Sequence, residues 1–361
     1  MPDEPSHSPA HRRWWILAGA GAAVLVVGGV IGGLIGAGTA SSSSSTDEAA
    51  CRATGVANRV LPSVVTITAS GGTSGGTGSG EVIRSDGYIL TNNHVISVAA
   101  NGGSVQVRFS DGASAPATIT GRDPKADLAV IKVDASQRLP VIAFGSSKSV
   151  QIGEPVVALG APLGLSSTVT SGIVSALDRT IQVPGDNGQT ALLVSAIQTD
   201  AAINPGNSGG ALTDCAGNLI GVPTAGATVP SPSGQSNPGN VGLGFAIPVD
   251  FAKAVSDEII ATGSVTHAFF GLQVIQVPPA AAQQAGTSEG LLVAGVTPGG
   301  PAANAGLQAG DIITEIDGQP ATDPNQLAAL TLTKRPGDRV AVTYERNGHT
   351  TTATITLGAQ P

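Results

Sequence analysis

INPGNSGGAL, residues 203–212, sets a single serine, Ser208, between Gly-Asn and Gly-Gly. Glycines on both sides clear side chains from the approach to the hydroxyl. They also reach backbone conformations that cost other residues energy. Such a stretch is either a plain tight turn or a loop that exposes a nucleophile and aims backbone N–H groups at an incoming oxygen. A serine hydroxyl is a poor nucleophile at neutral pH. It needs a base in hydrogen-bond reach, and that imidazole needs a carboxylate to fix its tautomer. Two segments supply the candidates. TNNHV places His94 just after the strand-like GYILT, and DPKADLAVIKV places Asp127 just before an apolar run. Alone, a histidine after a strand is usually a surface or satisfied core residue, and an aspartate before one is usually a turn residue. His–Asp–Ser in that chain order is the chymotrypsin-type arrangement.

The rest of the chain is consistent with a β protein. Its 361 residues include 50 Gly and 24 Pro, with 12% charged and 3% aromatic residues. That balance fits a strand- and loop-rich fold better than a helical bundle. Short apolar runs follow one another between turn signals: SVVTITA (63–69), GEVIR (80–84), GYILTN (87–92), SVQVRF (104–109), APATITG (115–121), LAVIKV (128–133), PVVALG (155–160), STVTSGIVSAL (167–177), LLVSAIQT (192–199), LIGVPTAG (219–226) and LGFAIPV (243–249). Many alternate with period two, the pattern of a barrel or sandwich. His94 and Asp127 then fall in one barrel and Ser208 in a second, with a site in the cleft between them. VDFAKAVSDEIIATG (249–263) has helical spacing, with Gly263 as its stop. Segments 185–189 and 230–240 read as loops.

A second unit starts near His267. FGLQV, GLLVAGV, PAANAG, DIITEID and NQLAALT alternate strand and helix patterns. RVAVTYER and TTTATITL meet at Asn347-Gly348, a hairpin turn pair. The unit has about ninety residues, a normal size for a small domain.

The net charge of −8 lacks the basic face that nucleic-acid binding needs. No His, Cys, Asp or Glu cluster has metal-ligand spacing, so neither metal nor cofactor is expected. From Trp14 to Ala40 no residue is charged; Arg12 and Arg13 precede the run, and Asp47 and Glu48 follow it. A span needs about 20 apolar residues, and the flanking charges put the N-terminus in the cytoplasm. The rival is a cleaved signal peptide, whose apolar core is shorter, about 7–15 residues. Either reading exports the remainder. Residues 41–50, SSSSSTDEAA, read as a flexible tether. Cys51 and Cys215 are the two cysteines, and an oxidising compartment permits one bridge between them; the alternative is two unpaired small apolar side chains.

GSGEVIRSDGYILTNNHVI, DLAVIKV and IQTDAAINPGNSGGAL closely resemble the HtrA (Deg) family of trypsin-like serine proteases, from about Val60 to the C-terminus. The resemblance implies a mainly β fold: a chymotrypsin-like double β-barrel over 51–264 and an α+β PDZ domain over 265–361. These would follow a cytoplasmic tail (1–13), a transmembrane anchor (14–40) and the linker (41–50). It implies His94 as base, Asp127 as its orienter, Ser208 as nucleophile, and an oxyanion hole from the N–H groups of Gly206 and Ser208 with Asn207 shaping the loop. Loss of one such donor costs about 10²–10³ in rate. Ala202 and Ile203, with Thr224, Ala225 and Gly226 opposite, would line the primary substrate pocket. No acidic residue stands at its base, so cleavage after Val, Ala, Ile or Leu is expected.

GLGF (242–245) looks like a PDZ fingerprint, but GFAIP resembles the last strand of the family's protease domain. FFGL is the better carboxylate-binding loop. There the backbone N–H groups of Phe269, Phe270, Gly271 and Leu272 would capture a C-terminal carboxylate, and the adjacent edge would accept the peptide as a strand; the alternative is a simple strand entry with two core phenylalanines. The resemblance also implies a homotrimer acting on unfolded or misfolded exported proteins. A latent protease serving as a PDZ-based scaffold is the alternative. Three positions depart from the family: Glu81 and Ala211, where apolar and Pro residues are usual, and Cys215 in place of a plain turn residue. The segment SGGTSGGTGSG (70–80) reads as a short loop between the first two strands.

Overall fold

The computed structural model describes residues 51–161, 168–224 and 242–360. The anchor at 14–40, the linker and the 230–240 loop lie outside them. Among the described residues no helix is long and apolar enough to cross a membrane.

Alternation of apolar residues builds the first barrel. In β4 (Ser104–Arg108), Val105 and Val107 point inward and their neighbours are exposed. The same rule orients β1 (Val64–Gly71), β2 (Ser74–Val82), β3 (Tyr88–Thr91), β5 (Ser114–Asp123) and β6 (Leu128–Val133). These close in the order β1-β2-β3-β6-β5-β4. Ile67, Ile89 and Ile131 fill the interior with no exposed surface, each contributing about 1.5–3 kcal/mol by burial. Closure also removes free sheet edges.

The segment 70–80 is not the loop its glycines suggest. β1 continues to Gly71, and β2 already starts at Ser74, paired residue by residue through Gly71↔Ser74. Cross-strand pairing and closure override the weak strand propensity of Gly and Ser.

The second barrel joins β7 (Pro155–Gly160), β8 (Thr168–Pro184), β9 (Thr190–Thr199), β10 (Ala211–Thr213), β11 (Leu219–Thr224) and β12 (Gly244–Pro248), in the order β10-β11-β12-β9-β8-β7. GLGF therefore runs into a protease strand, with β12 paired to β11 and β9. A helix, Val249–Thr262, follows and buries Val249, Ala252, Val255 and Ile259; Gly263 ends it in the left-handed conformation. A first helix, Ala53–Val60, precedes β1 and buries Val56 and Val60; it is not among the elements expected from the sequence.

The C-terminal unit has a sheet of order β14-β15-β16-β18-β19, where β14 is Leu272–Val277, β15 Gly290–Val296, β16 Ile312–Ile316, β18 Arg339–Arg346 and β19 His349–Thr356; a short β17 (Gln319–Pro320) pairs with β16. Asn347 and Gly348 both have positive φ, +52° and +78°, as a two-residue hairpin turn requires. β13 (Ala268–Phe269) pairs with β20 (Gly358–Ala359), bringing the two ends of the unit together. β14 has one unpaired edge within the sheet.

Candidate active site

The site lies where the two barrels meet. His94 sits in a one-turn helix, Asn93–Ile96, directly after β3. Asp127 ends the turn between β5 and β6, with φ +54°. Three hydrogen bonds pin that turn to the His94 segment. Asn92 Nδ2 and the Asn93 N–H donate to the Asp127 carbonyl at 2.9 and 3.2 Å, and the His94 N–H donates to Asp127 Oδ1 at 3.0 Å. The imidazole Nδ1 lies 2.8 Å from Asp127 Oδ2 and 3.1 Å from Oδ1. The carboxylate is 1% exposed and the imidazole 34%. Nδ1 is thus tied to a buried acceptor, which leaves Nε2 as the basic nitrogen.

A further contact crosses between barrels: the Thr224 hydroxyl, at the end of β11, donates to Asp127 Oδ2 at 3.2 Å. Sequence reading placed Thr224 in the pocket wall and missed this bond. Hydroxyl residues at strand ends carry no local signal for a carboxylate 97 residues away.

Ser208 comes from the loop before β10 and is 3% exposed. Its carbonyl accepts from the Ser79 N–H at 2.8 Å, so β2 of the first barrel supports the loop of the second. The Ser79 hydroxyl donates to the Gly206 carbonyl at 2.6 Å and accepts from the Ala161 N–H at 2.8 Å. Ser79 was not singled out beforehand; its only trace is the GSG of β2. Gly206 takes φ +100° and Gly209 φ +78°. A Cβ on Gly209 would stand 2.3 Å from the Ser79 carbonyl and 2.4 Å from Thr91 Oγ1. Glycine here permits the serine loop to lie directly against the strand end that leads to His94.

The Asn207 N–H donates to the Asn204 carbonyl at 2.9 Å, and its Nδ2 to the Ala202 carbonyl at 3.3 Å. Asn207 therefore ties down the loop with both groups. Of the other pocket residues, Ile203 is buried in the core of the second barrel, while Ala225 and Gly226 lie outside the described residues. Among the described residues no cluster of His, Cys, Asp or Glu fits a metal ion.

In the C-terminal unit, Gly271 has φ +73° and its carbonyl accepts from Thr297. Phe270 is 3% exposed in the core, and Phe269 is half-buried. The side chains of the FFGL segment thus anchor it, and backbone groups are what it can offer a ligand. Cys51 and Cys215 are both disulfide-bonded.

Two antiparallel six-stranded barrels with a His–Asp pair and a Gly-flanked serine at their junction define a trypsin-like protease fold, here followed by a PDZ unit. The chain matches the trypsin-like peptidase domain family over residues 78–222 and the PDZ domain family over 268–357. It belongs to the HtrA family of trypsin-like serine proteases. The serine protease PepD of Mycobacterium tuberculosis is 43% identical over 310 residues, 84% of this chain and 65% of that protein. A probable periplasmic serine endoprotease DegP-like of Brucella suis is 43% identical over 79% of this chain and 53% of that protein. This chain thus spans between half and two thirds of those relatives' length. The HtrA-type protease AlgW, solved with a decapeptide, superposes with a TM-score of 0.68 at 35% identity, covering 86% of this chain and 99% of that one.

Proposed function

We propose that this protein is a serine endopeptidase in which Ser208 attacks the peptide carbonyl, His94 takes and returns the proton, and Asp127 holds the imidazole. The observation that carries this reading is the His94 Nδ1–Asp127 Oδ2 contact of 2.8 Å on a buried carboxylate, beside a serine loop packed on the strand end before His94. As the hydroxyl adds to the carbonyl, its proton passes to Nε2, and the imidazolium is stabilised by Asp127. The oxyanion falls to the N–H groups of Gly206 and Ser208, with Asn207 holding their loop. Ala202, Ile203 and Thr224 would line an apolar pocket.

Family membership and the periplasmic names of the relatives support an exported enzyme of about two folded domains, 51–264 and 265–361. The apolar run 14–40 supports a membrane anchor, with 1–13 in the cytoplasm, and the two bonded cysteines support a Cys51–Cys215 bridge. Backbone groups of Phe269, Phe270, Gly271 and Leu272 would bind C-terminal peptides, and unfolded exported proteins would be the substrates of a trimer. The AlgW structure with a decapeptide supports the peptide reading.

Digestion of an unfolded, disulfide-free protein, wild type beside Ser208→Ala, tests this. Cleavage by the wild type alone is expected, accelerated by peptides ending in apolar residues. Equal cleavage by both proteins would remove the serine from the mechanism, and no cleavage by either would favour the latent, PDZ-based scaffold.

A further inference from the structure

The β8–β9 hairpin ends in a 3₁₀ turn, Asp186–Gly188, that reaches across to the first barrel. There three side chains close a triangle. Asn93 Nδ2 donates to Asp186 Oδ1 at 3.1 Å, Arg122 Nε donates to Asn93 Oδ1 at 2.8 Å, and Arg122 Nη2 pairs with Asp186 Oδ2. Each corner is sequestered: the Asn93 residue is fully buried, and the side chains of Arg122 and Asp186 are 19% and 16% exposed. The amide of Asn93 has both side-chain atoms engaged by the pair, so neither charged residue can leave without orphaning a buried polar group. Asn93 immediately precedes His94, and its N–H is bonded to the Asp127 carbonyl. Arg122 precedes Asp123 at the start of the turn that ends in Asp127, and the Lys125 carbonyl of that turn accepts from Leu192 of β9 at 2.9 Å. The hairpin therefore grips both segments that carry the His94–Asp127 pair, at one charged point and one backbone point.

We propose that Asp186 is a positioning residue for the His94–Asp127 pair, acting from the second barrel through Arg122 and Asn93. The inference rests on the serine-protease reading. Asp186 does not reach substrate; it fixes the azimuth of the one-turn helix on which the imidazole stands. Its partners explain why a carboxylate is needed. One oxygen must accept from a neutral amide and the other must balance a guanidinium, which an asparagine cannot do for both.

The test compares Asp186→Ala, Asp186→Glu and Arg122→Gln in the full-length chain with wild type and Ser208→Ala. Two readouts are taken: kcat and KM on an unfolded protein substrate, and amide hydrogen exchange across residues 92–96, where the His94 N–H donates to Asp127. Displacing a catalytic base costs about tenfold to a hundredfold in turnover without altering ground-state binding. Asp186→Ala and Arg122→Gln are expected to lower kcat about tenfold, with KM within about twofold, and to raise exchange at 92–96. Asp186→Glu, which keeps the carboxylate, restores most of both. Unchanged exchange and kcat in Asp186→Ala overturn the proposal. So does a loss confined to KM, or an Asp186→Glu variant no better than Ala. Exchange is readable in every variant, Ser208→Ala included. If Ser208→Ala cleaves as wild type does, the serine reading fails while the exchange data still decide whether Asp186 orders the His94 segment.

Discussion

Thr224 closes the run of hydrogen bonds that begins at His94, and it does so from the opposite barrel. Asp127 Oδ2 accepts from both the imidazole and the Thr224 hydroxyl, and a hydrogen bond to a charged group contributes about 1.5–3 kcal/mol. Thr224→Val keeps the shape and removes the donor. A fall in kcat/KM of about ten- to a hundredfold is expected, with Thr224→Ser near wild type; equal rates for all three would mean that the bond is idle in catalysis. Glu81 presents the reverse situation. It is fully buried on β2, paired with Val64 and Leu90, and neither carboxyl oxygen has a hydrogen-bond partner. Burial pushes its carboxyl well above the ordinary range, opposed only by the proximity of its own backbone N–H, which does not reach hydrogen-bond geometry. The folded state therefore holds this proton to higher pH than the unfolded chain does. By linkage, stability is greatest below the unfolded carboxylate range and falls as pH rises toward the folded value. Glu81→Leu removes that slope and is expected to stabilise the protein by about 1–3 kcal/mol at pH 8, with a smaller gain at pH 4. Denaturant midpoints at the two pH values decide it, and an equal change at both would sink the titration account.

At the scale of elements, the strands that alternate cleanly were legible. LAVIKV is β6 from its first residue to its last, and the 249–263 pattern gives a helix to Thr262 with Gly263 as its stop. What alternation could not reveal is structure made by pairing. Gly- and Ser-rich 74–80 carries no periodicity, yet the partner strand and barrel closure make it β2. His94 and Asp127, which the structure brings into contact, could be singled out in the sequence, as could Ser208, because such chemistry restricts residue type and neighbours. Ser79, Thr224 and Asp186 were not, since each works through a partner far along the chain. The FFGL segment shows the same division. Its backbone N–H groups are the expected carboxylate donors, and Phe270 is a core residue, so changing Phe270 tests folding rather than binding. Gly271 is the sharper probe. A Cβ there meets only ordinary contacts at 3.4 Å and beyond, yet φ +73° is left-handed. Gly271→Val adds about 1–2 kcal/mol of local strain that is relieved by re-aiming the loop. Affinity for a C-terminal peptide, measured by calorimetry, is expected to fall at least about tenfold while the unit stays folded. Unaltered affinity would place the peptide elsewhere.

Across the whole molecule, the PDZ unit meets the protease at the turn that presents Asp127. His267 Nε2 lies 2.8 Å from Asp123 Oδ1, with side chains 9% and 2% exposed. The Gln360 N–H donates to the His267 carbonyl, and the Gln360 side chain binds Lys125 Nζ. Both ends of the PDZ unit thus converge on residues 123–125, two to four positions before Asp127, whose carboxylate contacts His94. Asp123 also accepts from the Lys125 N–H at 3.2 Å, so the carboxylate shapes the turn as well as joining the domains. On the far side, Gln182 of β8 donates to Asn325 of the helix Asn325–Thr333 at 2.9 Å, an exposed bond of little weight. The buried contact should therefore dominate the coupling. Removing one partner of a buried hydrogen bond costs about 1–3 kcal/mol because the other polar group is left unsatisfied. His267→Ala is accordingly expected to destabilise the junction by more than Gln182→Ala, and to split a single calorimetric unfolding transition into two, the PDZ unit melting first. Asp123→Asn, which still accepts from the turn, should split the transition less. If His267→Ala and Gln182→Ala leave one undivided transition at the wild-type temperature, the two domains are held together by apolar contact alone, and the histidine merely fills space at the seam.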